Sequence, residues 1–530
     1  MASHGDGVEP TEAETTSGFA VPPGLDLPPP QENGGPASAF SLPEGLTLPP
    51  PAPPHSDFTP AQGIPVLSRV HGLPWQDRMR TLVRLPLAER PAPAAPAEAT
   101  EGTTAVPRVL DLTLRIGELL LAGGEGAEDV EAAMFGVAHA YGLDRCEATV
   151  TFTLISITHQ PSLVDAPVSL SRTVRRRGTD YNRLAEVFRL VDDISSGEVT
   201  PEEAYGRLAT IRRNRHPYTK WQLTLASGLL AGAAATLVGG NWQVFVLAAL
   251  GAMLGDRLAW LASGRGLPEF YQFVAAAMAP ALVGVCWAAG HTSTAGEVQA
   301  AAMVTGGLFA LIPGRALVAG VQDGLTGYYL TASARLLEVV YLSVGIVCGV
   351  LAVLYIGETS GVRLDPDVVQ SALRPGVQLG AALLLSLTFC VLLQQARGTV
   401  VPATLNGGVA WLIYGAMHDT AGLSPFAATA VAAGMVGLFG QLLSRYQYTS
   451  SLPYVTAAIG PLLPGGAVYL GLLGFAQGDV DTGVGYGLRA ITLALAIAIG
   501  VNLGSEMARL FLKPPTSTPD RRGAKRTRGF

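Results

Sequence analysis

ALIPGRALVAGVQDG (residues 310–324) and PLLPGGAVYLGLLGFAQGD (residues 461–479) each set a Pro-Gly pair inside an apolar stretch, followed by small residues and an exit carrying Gln, Gly and Asp. The pairs are Pro313-Gly314 and Pro464-Gly465. Proline removes a backbone donor and glycine weakens a helix. At membrane depth such irregular backbone is tolerated only where protein covers it or where it lines a wet cavity. After each stretch comes an apolar segment opened by an arginine, Arg335 or Arg489. Kinks in ordinary membrane helices would also use Pro and Gly; the matched placement favours a repeat.

Working outward, apolar segments of spanning length fall near 221–239, 242–262, 270–290, 297–318 and 330–356, then near 376–396, 400–417, 422–444, 453–476 and 485–511. Each approaches the roughly 20 residues that cross about 30 Å of hydrocarbon. Ten segments in two matched sets predict an α-helical polytopic membrane protein. Because five is odd, the second set enters from the opposite side, giving two inverted five-helix repeats at 217–360 and 361–512, the arrangement of alternating-access transporters. Composition agrees: of 530 residues 49% are hydrophobic and only 14% charged, and mean hydropathy is +0.34, where soluble chains carry about 25% charge. The formal charge of −6 does not indicate nucleic acid.

Lys and Arg mark cytoplasmic loops. An inside N-terminus puts Arg212 to Lys220, Arg265, Arg315, Arg397, Arg445 and the tail 513–530 on that side, while GGN, GHTSTAGE, HDTAG and AQGDVDTG carry neither residue. Only the loop with Arg363 and Arg374 dissents. Both termini are expected in the cytoplasm.

Residues 1–107 are rich in Pro, Ala, Gly and Glu and read as a disordered tail, with PPGLDLPPP (22–30) recurring as PEGLTLPPP (43–51). No continuous apolar core of a secretory signal is present in residues 1–100. Trp75, Met79, Leu82 and Val83 fall at helical spacing among arginines, suggesting a short interfacial helix on anionic lipid. From 108 to 216 the pattern is that of a small cytosolic α/β domain. Two helical stripes (Leu112, Ile116, Leu119; Val130, Met134, Val137) precede the alternation ATVTFTLISI, read as one strand, and PVSLSRTV, read as a second. Two further helices follow, around Leu184 to Val191 and Ala204 to Ile211.

Ionisable groups within spans are costly, about 2.5–3.5 kcal/mol or more at mid-bilayer, so Asp256 and Glu338 are candidates for proton coupling. Their structural alternatives are pairing with Arg257 and with Arg335. Glu506, near Arg509, reads as a helix-end charge. Pro313, Gly314, Pro464 and Gly465, with the polar Gln322, Asp323, Asn406 and Gln441, are the substrate or pathway candidates; Asn and Gln also serve to join helices. Cys146, Cys286, Cys348 and Cys390 are widely spaced and suggest neither disulfide nor metal. No cofactor, Walker motif, G-x-S-x-G or H-E-x-x-H is found, so no catalytic or metal residue is assigned.

The segment LRIGELLLAGGEGAEDVEAAMFGVAHAYGLDRCEATVTFTLISIT (residues 114–158) resembles the N-terminal domain of the threonine/serine exporter family, and the apolar segments with their Pro-Gly positions resemble that family's membrane part. The resemblance covers about residues 108–511. It implies export of L-threonine and L-serine driven by the proton motive force, with the lipid bilayer and these amino acids as partners; a homo-oligomer is left open. Physical reading alone stops at a ten-helix secondary transporter, with a gated efflux pore or a membrane-tethered enzyme as alternatives.

Overall fold

A computed structural model describes Trp75, Met79 and residues 106–511 apart from 163, 175–177, 179, 215–216, 292, 363–373 and 448. The Pro-rich repeat, Leu82, Val83 and the basic tail lie outside the described residues.

The α/β portion begins with α1 (Val106–Ala122), whose Leu112, Ile116 and Leu120 recur every four residues and are fully buried. Gly124 adopts φ 93°, a left-handed turn that suits glycine. It leads into α2 (Ala127–Ala140). Three antiparallel strands follow in spatial order, β1 (Cys146–Val150), β2 (Leu154–His159) and β3 (Val168–Thr173). The single strand expected over Ala148–Ile157 is therefore a hairpin. The Thr151 hydroxyl donates to Leu154 O at 2.8 Å and accepts from Leu154 N at 3.2 Å. A side-chain turn closes the reversal without the Gly, Pro or Asn that usually announces one.

Helices α3 (Tyr181–Ser195) and α4 (Pro201–Arg213) complete the portion. Asp180 caps the first, and a reciprocal Thr200–Glu203 box caps the second. Trp75 and Met79 correct the interfacial-helix expectation. Both are helical and buried; Trp75 lies 5.3 Å from the Phe188 ring, and Met79 packs on Gly136. Their apolar side chains cover this portion's core instead of facing lipid.

The helical body runs α5 (Lys220–Leu237), α6 (Trp242–Gly264), α7 (Glu269–Gly290), α8 (Thr294–Phe309), α9 (Gly314–Thr326) and α10 (Tyr329–Thr359). It continues with α11 (Pro375–Leu392), α12 (Arg397–Gly415, extended by a π turn to Thr420), α13 (Pro425–Gln447), α14 (Leu452–Ala458), α15 (Gly465–Ala476) and α16 (Val480–Phe511). All ten apolar segments are helical. Among the described residues seven helices are long and apolar enough to cross a bilayer, and the α14–α15 pair, bent by 53°, raises the number to eight. The segments at α5 and α8–α9 fall short of that mark, because the first is polar at its start and the second is cut at Pro313. The chain is a multi-pass membrane protein.

The two Pro-Gly breaks have the same backbone geometry. Gly314 N bonds to Ile312 O and Gly465 N to Leu463 O, each at 2.8 Å; Leu317 N bonds to Pro313 O and Val468 N to Pro464 O, at 3.1 and 3.0 Å. The helices after the breaks also end alike, at Gly327 (φ 99°) and Gly478 (φ 75°), with Tyr328 N to Asp323 O matched by Asp479 N to Gly474 O. A shift of 151 residues superimposes every one of these pairs. Helix pairings follow the same correspondence: α5 with α6, α6 with α7, α7 with α10 and α9 with α10 recur as α11 with α12, α12 with α13, α13 with α16 and α15 with α16.

Gly345 and Gly349 of α10 face the backbone of α7 at Phe270 and Val274; Gly500 and Gly504 of α16 face α13 at Ala430 and Gly434. Each is a small-xxx-small seam that lets two helices touch. The core of the α/β portion continues without a break into Cys390, Leu393, Ala403, Tyr454 and Ala457 of the helical body.

Candidate functional site

The two breaks meet. A methyl placed on Gly314 would come 2.9 Å from the Leu463 side chain, and one on Gly465 would come 2.9 Å from Phe309 and 3.6 Å from Ile312. The contact is reciprocal, since Leu463 and Ile312 each stand two residues before their own glycine. Glycine is needed at both positions because a side chain would separate the breaks.

Beside this contact the structure holds a polar cavity of about 60 Å³, room for roughly four to six waters at about 10–15 Å³ each. Its walls come from α9, α13, α14, α16 and the turn that starts α2. Four carboxylates line it, Glu125, Glu128, Asp129 and Glu506, together with the amides of Gln322, Gln441 and Asn502. Hydroxyls come from Thr326, Ser451, Thr456 and Ser505. No Lys or Arg stands among the described lining residues, and the amides can pair with a carboxylate or hydroxyl.

One end of the cavity is closed by a buried junction. Asp323, 1% exposed, accepts from Ala127 N at 2.9 Å, and its Oδ2 lies 3.2 Å from Arg335 Nε, an ion pair rather than an aligned hydrogen bond. Arg335 Nη2 donates to Glu125 O at 2.7 Å, and Ser450 Oγ donates to the Glu125 carboxylate at 3.2 Å. The α/β portion is thus tied to α10 and to the segment before α14. Nearby, the Tyr328 hydroxyl donates to Glu131. Burial pushes the Glu131 carboxyl above its ordinary range, and the Tyr328 bond only partly offsets this. A second tie joins the start of α3 to the carbonyls after α11, Tyr181 N to Leu393 O and Asn182 N to Gln394 O, both 3.1 Å.

Of the residues expected from sequence, Gln322 and Gln441 line the cavity, Asp323 closes it, and Pro313, Gly314, Pro464 and Gly465 form the contact beside it. Asn406 stands apart: its Nδ2 donates to Val436 O and Tyr454 O, each at 3.3 Å, joining α12 to α13 and α14. Asp256 is also elsewhere. Thr224 donates to its Oδ2 at 2.5 Å and accepts from Arg257 at 2.6 Å, so the expected pairing with Arg257 runs through a threonine of α5. Glu338 is half-buried on α10 and does not line the cavity.

Sequence reasoning passed over Asn502 and Ser505 and set Glu506 aside. Their spacing at i, i+3 and i+4 on an otherwise apolar helix is the signal that could have found them. Glu125, Glu128 and Asp129 carried no such sign, because only the docking of α2 brings them to the membrane helices.

The chain was compared with known proteins. Two family profiles match it, one for threonine/serine exporters over residues 111–357 and one described as "Threonine/Serine exporter, ThrE" over 378–507. A "Probable threonine/serine exporter" of Mycobacterium tuberculosis is 36% identical over 412 residues, 76% of this chain and 76% of that protein. A "Threonine/serine exporter" of Corynebacterium glutamicum is 31% identical over 457 residues, 84% of this chain and 91% of that protein. No solved structure matches. The profiles span both the α/β portion and the two sets of helices, and on that ground the chain belongs to the threonine/serine exporter family.

Proposed function

We propose that this protein is a secondary transporter that exports L-threonine and L-serine from the cytosol across a bacterial inner membrane, with the proton motive force as its energy source. The observation that carries this reading is the reciprocal contact of two Pro-Gly breaks beside a polar cavity. Two matched sets of five helices, inserted oppositely, supply two states of similar energy that open to opposite sides. In this reading α5 and α8–α9 complete ten spans, and the basic loops hold the α/β portion and both termini in the cytoplasm.

The cavity suits a small zwitterion. Carboxylates receive the ammonium group, while the amides of Gln322, Gln441 and Asn502 receive the carboxylate and hydroxyl. The printed names of the relatives supply the substrate pair. Asp256 and Glu338 remain the proposed proton carriers, and Glu506 joins them because it stands at the cavity wall. The test loads cells with threonine- or serine-containing dipeptides, with and without the gene, and follows efflux before and after an uncoupler. Efflux that depends on the gene and stops on uncoupling is expected; efflux unchanged by deletion would remove both amino acids from the account.

A further inference from the structure

The correspondence between the halves lets each wall of the cavity be located in the other half. A shift of 151 residues carries Val318 on α9 onto Tyr469 on α15, and Val455, Thr456 and Ile459 on α14 onto Val304, Thr305 and Leu308 on α8. For α16 and α10 the paired glycine seams, Gly500 with Gly345 and Gly504 with Gly349, set the shift at 155 and carry Val501 and Ser505 onto Ile346 and Val350. The counterpart of the cavity is a closed apolar cluster. Val304, Leu308, Ile346, Val350 and Tyr469 pack together there. The molecule is hollow on the side of the α/β portion and shut at the matching place in the other half.

One member of that cluster is chemically out of place. Tyr469 is 1% exposed, and its hydroxyl has no hydrogen-bond partner among the described residues. Buried hydroxyls are normally bonded, and phenylalanine would fill the same apolar space without an orphaned group.

We propose that Tyr469 is a substrate-contacting residue of the opposite-facing state. When the two sets of helices exchange roles, α8, α10 and α15 part, and the hydroxyl lines the cavity that opens on the far side. There it bonds the carboxylate or hydroxyl of the departing amino acid. This rests on the exporter reading above and adds to it a residue on the exit side. It also gives a physical reason for tolerating an unpaired hydroxyl in the closed cluster, since the partner arrives only during transport.

The test uses the full-length protein in cells. Tyr469→Phe removes only the oxygen. It should reach the membrane at the wild-type level yet export threonine about tenfold more slowly, the loss expected for one hydrogen bond. Separately, Tyr469→Cys is placed in a background where the exposed Cys286 and Cys348 are changed to Ser. It should react with a membrane-impermeant maleimide added outside, and excess external threonine should slow the reaction. A purely structural tyrosine would leave both readouts unmoved, and Phe would be neutral or stabilising. Tyr469→Phe exporting at the wild-type rate, or Tyr469→Cys unlabelled while Tyr469-containing protein exports, overturns the proposal. If the wild-type protein exports no threonine, the exporter reading falls and takes this inference with it.

Discussion

Asp323 of the helical body accepts a hydrogen bond from Ala127 N at 2.9 Å and so caps a helix of the α/β portion. Gly126, which occupies the capping position, has no side chain to do this. The same carboxylate faces Arg335, so its loss would have two effects of unequal size. A missing cap costs about 1 kcal/mol, whereas a buried arginine left without its carboxylate costs about 3–5 kcal/mol. Asp323→Ala is therefore expected to lower the unfolding temperature in detergent, and Asp323→Ala with Arg335→Leu should be less destabilised than the two single changes summed. A single variant as stable as wild type would refute the junction.

Glu131 sets a pH dependence. Burial raises its folded pKa above the ordinary value of 4.5, so in the interval above 4.5 the folded protein binds more protons than the unfolded chain. Stability contributed by this group therefore falls as pH rises through that interval and is flat above the folded pKa. Thermal unfolding followed as pH is raised from the ordinary value of 4.5 should show this decline, and Glu131→Gln should reduce its slope. A Gln variant with the wild-type slope would remove Glu131 as the cause.

The glycine seams should be intolerant of even one methyl. A Cβ at Gly504 would lie 1.8 Å from Gly434 O and one at Gly349 would lie 2.3 Å from Val274 O, whereas a Cβ at Gly380 meets nothing within 4 Å. Gly504→Ala and Gly349→Ala are expected to lower the yield of folded protein by gel filtration in detergent. Gly380→Ala should instead gain up to about 1 kcal/mol from helix propensity. Equal behaviour of all three would show that the seams carry no packing load.

Within the cavity, Gln322→Leu and Asn502→Leu should each slow threonine efflux about tenfold at unchanged protein level, since each removes one hydrogen bond to substrate. Threonine and serine differ by one methyl, worth about 0.8 kcal/mol, so their export rates should stay within about fourfold of each other. Efflux measured on each amino acid alone checks both statements; a far larger preference would place the substrate in a tighter, apolar site elsewhere.

Much of this was legible beforehand, and the exceptions have a common cause. Hydropathy found a helix in each of the ten apolar segments, because a chain dissolved in lipid must display apolar residues for about 20 positions at a time, but among the described residues only seven, or eight with the bent pair, are long and apolar enough to cross a bilayer. The Pro-Gly pairs announced the broken helices because proline acts locally. The Thr151 turn escaped because hydroxyl-closed reversals leave the alternation intact. Trp75 and Met79 were misplaced because an apolar face among arginines reads the same whether it meets lipid or protein. Asp323 was singled out, but its partner Ala127 lies 196 residues away. Glu125 has no local pattern at all; its position depends on tertiary docking.

Glu125 has a further consequence. Its carbonyl is held by Arg335, from the first set of helices, and its carboxylate by Ser450, from the second. A single residue thus works as a rivet through two plates. If the plates slide, at least one of the two fastenings must shear. Ser450→Ala, which cuts one fastening at a residue outside the described cavity lining, should therefore change turnover.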